Sequence, residues 1–206
     1  MGDPVRRVHR RRAERPRRVV LIADVSGSME PYARVYLHLM RSAVRALRAE
    51  AFVFATRLTR LTRQLGMTHP DVAYRKAASA APDWSGGTRI GTALHEFNLK
   101  WARRVLGQGA HVLLMTDGLD REDVTSLKAE MERLRRSAKR IVWLNPLLRY
   151  DGFEARASGI RVMMPFVDEF RPVHSLNSLA DLAETLAEPR RDAHDPRKWL
   201  KGPHQG

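Results

Sequence analysis

Val19–Glu30 reads VVLIADVSGSME, and this stretch decides the fold. The apolar run Val19-Val20-Leu21-Ile22-Ala23 ends at Asp24, with arginines before it and Gly27 after it. A short β-branched run so bounded fits a central strand buried on both faces of a parallel sheet. Asp24, Ser26 and Ser28 then fall at its carboxyl end, where open α/β sheets bind their ligands. Three small oxygen-bearing side chains at alternate positions of one turn suit a hard divalent cation. Mg2+ takes octahedral oxygen coordination at about 2.1 Å and usually keeps some water.

Working outward, Glu30-Pro31 sets proline in a helix's first turn. Tyr32, Val35, Leu39, Ala43 and Leu47 recur at helical steps through Glu50, with Arg34, Arg41, Arg45 and Arg48 opposite. That pattern predicts an amphipathic helix packed on the sheet. Phe52-Val53-Phe54 predicts a strand, and Leu58, Leu61 and Leu65 a second, more exposed one joined to it by a hairpin. This second strand is expected at an antiparallel edge, where Arg57, Arg60 and Arg63 discourage edge-to-edge association. A modest helix runs from His69-Pro70 to Pro82, and a further helix follows the loop Asp83–Gly91 to about Leu106. His111–Met115 predicts a strand ending in Thr116-Asp117-Gly118. The next helix has Asp120, Glu122 and Asp123 at its start and Arg133, Arg135, Arg136 and Lys139 near its end, as the helix dipole favours; its core stripe is Val124, Leu127, Met131 and Leu134. Ile141–Leu144 and Arg161–Val167 read as the remaining strands and Ser175–Leu186 as the last helix.

The chain has 206 residues, 43% hydrophobic, enough for one domain with a substantial core. The absence of cysteine excludes disulfides, zinc–thiolate sites and thiol catalysis. No apolar run reaches the ~18–20 residues of a membrane span, and no secretory signal is evident, which makes the cytoplasm the default expectation. The net charge is +14, and of 37 basic residues only six are lysines. Arginines spread along the whole chain are read as solvated faces and helix ends. Residues 1–17 are the exception, a basic arm expected to be disordered. Residues 18–187 form the expected domain and 188–206 a flexible C-terminal tail.

Strands alternating with helices predict an α/β, doubly wound (Rossmann-like) architecture. Three strand-end or loop elements carry its chemistry: Asp24-x-Ser26-x-Ser28, Gly86-Gly87-Thr88 and Thr116-Asp117-Gly118. Each alone is an ordinary turn or helix cap; their combination is specific. In this order the sequence resembles a von Willebrand factor A (VWA) domain. The resemblance implies a mostly parallel central sheet with one antiparallel edge strand and helices on both faces. It also implies a metal-ion-dependent adhesion site (MIDAS), in which Ser26, Ser28 and Thr88 supply hydroxyl oxygens while Asp24 and Asp117 hold the cation directly or through water. The cation is Mg2+, or Mn2+, which suits the same oxygens. Trp84, Arg89 and Asp120 flank these loops as candidate partner contacts; Trp84 also reads as a wedge over the core, and Asp120 as a helix cap.

The phrases DVSGSMEPYAR, FVFATRLTRLTRQL, DWSGGTRIG and IVWLNPL resemble the CoxE-like branch of that family, over roughly Arg18 to Leu186. This resemblance implies a non-enzymatic, metal-dependent protein-binding module that takes an acidic side chain of its partner. It further implies work beside a MoxR-type AAA+ ATPase in the maturation of a client metalloenzyme. Family members carry a long N-terminal region where this sequence has the basic arm, which reads as a fragment, a split protein or a minimal variant. Two other functions fit the residues less well. A metal-dependent hydrolase lacks an activated nucleophile, a histidine base and a second metal cluster in the motifs. The alternative is binding of nucleic acid or another anionic surface through the Arg-rich arm; for nucleic acid the sequence lacks aromatic stacking motifs and a reader helix.

Overall fold

The computed structural model describes residues 18–80, 87–107, 109–120, 124–149, 157–172, 179–187 and 194–200. Six strands form one sheet: β1 Val19–Asp24, β2 Glu50–Phe54, β3 Leu58–Arg60, β4 His111–Met115, β5 Arg140–Asn145 and β6 Glu169–Pro172. Their order is β3-β2-β1-β4-β5-β6. All neighbours are parallel except β3, which runs antiparallel to β2 at the edge. The expected doubly wound sheet with one antiparallel edge is therefore observed.

The helices are α1 Glu30–Leu47, α2 Thr62–Leu65, α3 Pro70–Ala80, α4 Ile90–Lys100, α5 Ala102–Val105, α6 Val124–Ser137, α7 Ser158–Met163, α8 Leu179–Ala187 and α9 Arg197–Leu200. Strand side chains alternate between two cores, as the period of two requires. Val20, Ile22, Val112, Leu114, Ile141 and Trp143 pack with Leu94, Phe97 and Met131 of α4 and α6. Leu21, Ala23, Val53, Leu113 and Leu144 pack with Tyr36, Met40 and Ala43 of α1, together with Leu65 of α2 and Ala77 of α3. With helices on both faces, β1 is wholly buried, which explains its unbroken apolar run. No helix among the described residues is long and apolar enough to cross a membrane.

Several elements differ from the sequence expectation. The buried stripe of α1 is Ala33, Tyr36, Met40 and Ala43, with Leu37 and Leu39, while Val35 is 43% exposed. Two apolar registers compete along this helix, and the sheet selects the one containing Tyr36. The helix ends at Leu47 because Arg48 turns left-handed, with φ 53°. The edge strand stops at Arg60, since Thr62 ends the ladder: its Oγ1 accepts the Ala51 amide at 3.0 Å and donates to Glu50 at 2.7 Å. Leu61 and Leu65 then bury on the turn into and within α2 instead of extending the strand. Arg60 lies over the Trp101 ring and pairs with Glu50 rather than standing off the edge. Trp101 also interrupts the helix expected to run to Leu106, separating α4 from α5.

The largest correction concerns Arg161–Val167. This segment is the end of α7 and a 3-10 turn, Met164–Phe166, and the last strand is β6. Ile160, Met163 and Met164 bury on one side of the helical turn against the α6 face. The β6 strand is illegible as apolar because Glu169 pairs with Arg140 and Arg171 in the interior. Of the expected last helix, residues 175–178 lie outside the described residues and α8 forms the rest. The arm, residues 1–17, is also outside them. Within the segment 188–206, α9 places Trp199 edge-on to Phe170 at 6.0 Å.

Candidate metal centre

The carboxyl ends of β1 and β4 lie side by side. From β1 the chain passes through α1 to β2, and from β4 through α6 to β5, on opposite sides of that pair. This is the topological switch point, where the connections part and leave a crevice. Two of the three motifs follow these two strands. The loop before α4 supplies the third, tied to the end of β2 by the Arg89 amide, which donates to Ala55 O at 3.0 Å.

Asp24 ends β1 and is fully buried. Its Oδ1 accepts the Ser26 amide at 2.9 Å, which closes the turn, and its Oδ2 accepts the Thr116 hydroxyl at 2.9 Å. Thr88 Oγ1 donates to Ser26 Oγ at 2.7 Å across a separation of 62 residues. Ser26 Oγ in turn lies 3.4 Å from Ser28 Oγ. Ser26, Thr88 and Asp117 are buried and Ser28 is exposed, so the hydroxyl row runs from the interior to solvent. Asp117 Oδ1 accepts the Leu119 amide at 2.9 Å.

Burial pushes the Asp24 carboxyl up to about 6; the nearby Asp117 charge adds to this, and the hydrogen bonds from Ser26 and Thr116 oppose it. The Asp24 and Asp117 carboxylates and the three hydroxyls offer an all-oxygen donor set, which fits a hard dication that would relieve the buried charge. Among the described residues no group of three His, Cys, Asp or Glu side chains gathers to hold a metal, here or elsewhere, so the candidate centre rests on its two carboxylates and its hydroxyls.

The candidate partner contacts are placed differently from one another. Trp84 lies outside the described residues. Arg89 is exposed immediately before α4, beside Thr88. Asp120 turns inward to α4, its carboxylate accepting the Ile90 and Gly91 amides at 3.2 and 3.1 Å. It is a cap, though of α4 rather than of the helix it precedes. Between α1 and α3, Glu30, Arg34, Leu37, Asp71 and Tyr74 help to line a cleft of about 590 Å3 that includes none of the five candidate ligands.

Several supporting residues escaped the sequence reading. Trp143 Nε1 donates to Thr116 O at 2.9 Å and Asn145 Nδ2 to Asp117 O at 3.0 Å, so β5 holds the β4 turn. Gly118 adopts φ 79° against Trp143 and Ile160, and a Cβ on Gly159 would lie 2.4 Å from Gly118 O. An Asn at a strand end was a signal for the Asn145 contact. Nothing local marked Gly159.

Among solved structures, the chain is similar to an aerotolerance-related membrane protein from Bacteroides fragilis, at 16% identity and a TM-score of 0.51, covering 88% of this chain and 99% of that one. It is also similar to proximal thread matrix protein 1 of the mussel byssus, at 15% identity and a TM-score of 0.52, covering 83% of this chain and 48% of that one. A third likeness is to the pilus adhesin SpaC from Lactobacillus rhamnosus GG, at 15% identity and a TM-score of 0.50, covering 85% of this chain and 29% of that one. At such identities these likenesses show the fold alone, and the chain spans about half of the byssus protein or less than a third of the adhesin. No curated protein sequence matches the chain. The family model described as "VWA domain containing CoxE-like protein" matches residues 1–179. Strand order, strand-end motifs and this match agree, and the chain belongs to the CoxE-like family of VWA domain proteins.

Proposed function

We propose that the crevice between β1 and β4 is a MIDAS that binds Mg2+ or Mn2+ through Asp24, Ser26, Ser28, Thr88 and Asp117, and that the protein is a non-enzymatic binding module. The observation that carries this reading is the 2.7 Å contact between Thr88 and Ser26, which gathers hydroxyls from two distant loops beside the buried Asp24 carboxylate. A bound dication supplies an electrophilic position for a carboxylate oxygen of a partner's Asp or Glu. The chain's own part is to orient the donors. Thr116 and the Ser26 amide fix both oxygens of Asp24, while Asn145 and Trp143 hold the backbone that carries Asp117. Exposed Ser28 and Arg89 stand where a partner's surface would meet the site, so selectivity comes from the rim and affinity from the cation.

The CoxE-like resemblance suggests the partners: a MoxR-type AAA+ ATPase and a client metalloenzyme undergoing maturation. A pull-down from native lysate with Mg2+, with EDTA and with the Asp24→Ala protein tests this, after circular dichroism shows the variant folded. Retention of such an ATPase or metalloenzyme only with metal and intact Asp24 supports the adaptor reading. Retention regardless of metal and substitution would remove the site as the binding surface.

A further inference from the structure

Tyr36 is 1% exposed, and its hydroxyl has no hydrogen-bond partner in the structure. A buried phenol left unbonded costs about 1–3 kcal/mol, so an orphan here calls for a physical reason. The residue sits in the second turn of α1, the helix that starts two residues after Ser28. Helical side chains lean back toward the helix N-terminus, which carries the Tyr36 hydroxyl toward the strand ends rather than away from them. Its ring packs in the cluster that contains Ala23, Val25 and Met115, neighbours of Asp24 and Thr116 in sequence. Burial, then the charges of Asp24, Tyr32 and Asp117, make the phenol harder to ionise. Both site carboxylates are thus within electrostatic reach of a hydroxyl with a proton to donate.

Resting on the MIDAS reading, we infer that Tyr36 is a positioning residue of the metal centre, its hydroxyl donating from the α1 side to a water that the Asp24 and Asp117 carboxylates also hold. This explains the orphan. Both Asp24 oxygens already accept one protein donor, and each keeps a lone pair for water. A donor behind the carboxylates holds them aimed at the crevice when the cation draws on their charge. Tyr36 needs no charge for this role; it stays protonated and touches neither partner nor solvent.

Tyr36→Phe keeps the ring and removes only the hydroxyl. The test titrates Mn2+ by electron paramagnetic resonance and by calorimetry into the full chain and into Tyr36→Phe. Urea unfolding in EDTA is run beside it. The expected result is a three- to tenfold weaker Mn2+ affinity, with metal-free stability unchanged or raised. That split separates positioning from packing, because a structural role would lower the metal-free stability as well. Equal Mn2+ affinity in the two proteins, within twofold, overturns the role of Tyr36 while leaving the metal site standing. Failure of the unmodified chain to bind Mn2+ removes the site and the role together.

Discussion

Asp120 caps α4 from the loop after β4, its two carboxylate oxygens accepting the Ile90 amide at 3.2 Å and the Gly91 amide at 3.1 Å. Thr88 lies two residues before Ile90, so the cap joins two of the three loops that build the crevice. An acidic residue at a helix N-terminus also meets the positive end of the dipole. Asp120→Ala is expected to cost about 1 kcal/mol of stability and to weaken Mn2+ binding several-fold, because the Thr88 hydroxyl loses its registration against Ser26. Asp120→Asn, which keeps one acceptor, should fall between. Urea unfolding and Mn2+ titration of the two variants check this. Full metal affinity in a destabilised Asp120→Ala protein would show that the loops are set independently.

Asp24 and Asp117 place two carboxylates in one buried crevice, and burial penalises the charge on Asp24. Replacing it by the isosteric amide removes that penalty and the cation together. In EDTA at pH 7.5, Asp24→Asn should be more stable than the unmodified protein by about 1–3 kcal/mol. With Mg2+ at a hundredfold excess over its Kd, the unmodified protein should gain about 2.7 kcal/mol, or roughly 5–10 °C in Tm. Asp24→Asn should gain nothing. A differential scanning calorimetry series in EDTA and Mg2+ reads all four states. A Mg2+ response that survives in Asp24→Asn would take Asp24 out of the metal's ligands.

Gly159 and Gly118 touch backbone to backbone, with room for no Cβ: one built on Gly159 falls 2.4 Å from Gly118 O. The first turn of α7 therefore braces the turn that carries Asp117. Gly159→Ala must push that turn outward, at a cost of about 1–3 kcal/mol, and should lower Mn2+ affinity more than its loss of stability explains. Ala157→Gly, two residues away and outside this contact, serves as the reference. If Mn2+ affinity in Gly159→Ala equals that of the reference, α7 supports the fold without supporting the site.

That brace was hidden in the sequence, and the reason is instructive. β1, β4 and β5 were legible because they are buried on both faces and consist almost wholly of apolar residues. The polar ends of β1 and β4 were legible for the opposite reason, since Asp24 and Thr116-Asp117 interrupt those runs abruptly. At the far edge the signal inverts. RVMMPFV looks like a buried strand and is part of the helical turn packed on α6, because Met163 and Met164, with the preceding Ile160, fall on one side of it. Glu169 and Arg171 look exposed and are interior, since the Glu169 carboxylate is shared between Arg140 and Arg171. Only a tertiary ion pair makes that strand possible, and periodicity carries no trace of a partner 29 residues away. The same holds within the site: Asp24, Ser26 and Ser28 share a turn, whereas Tyr36, Trp143, Asn145 and Gly159 reach it through packing.

Glu130 gives the pH dependence that should be easiest to isolate, since it sits in the α4–α6 interface with His95 and Asn98 and is no part of the metal centre. It is 5% exposed, and its carboxylate accepts from Asn98 Nδ2 at 2.9 Å, His95 Nδ1 at 2.9 Å and Arg133 Nη1 at 3.3 Å. A carboxylate only accepts, so His95 carries a proton on Nδ1. Burial acts to raise the Glu130 pKa, and the hydrogen bonds from Asn98 and His95 with the Arg133 charge outweigh it, leaving a net lowering. A group lowered on folding binds fewer protons in the folded chain than in the unfolded one. Its stabilisation is thus fully present above the ordinary glutamate value of about 4.3 and is lost as pH falls through the lowered folded value. Glu130→Gln removes the titration and keeps the shape. It should be less stable than the unmodified protein by about 1–2 kcal/mol at pH 7, with the gap closing as pH drops below about 4. Urea unfolding at intervals from pH 3 to pH 7 measures that gap directly. A gap of constant size across the range would assign the stabilisation to packing and neutral hydrogen bonds, and the charge on Glu130 would then contribute nothing.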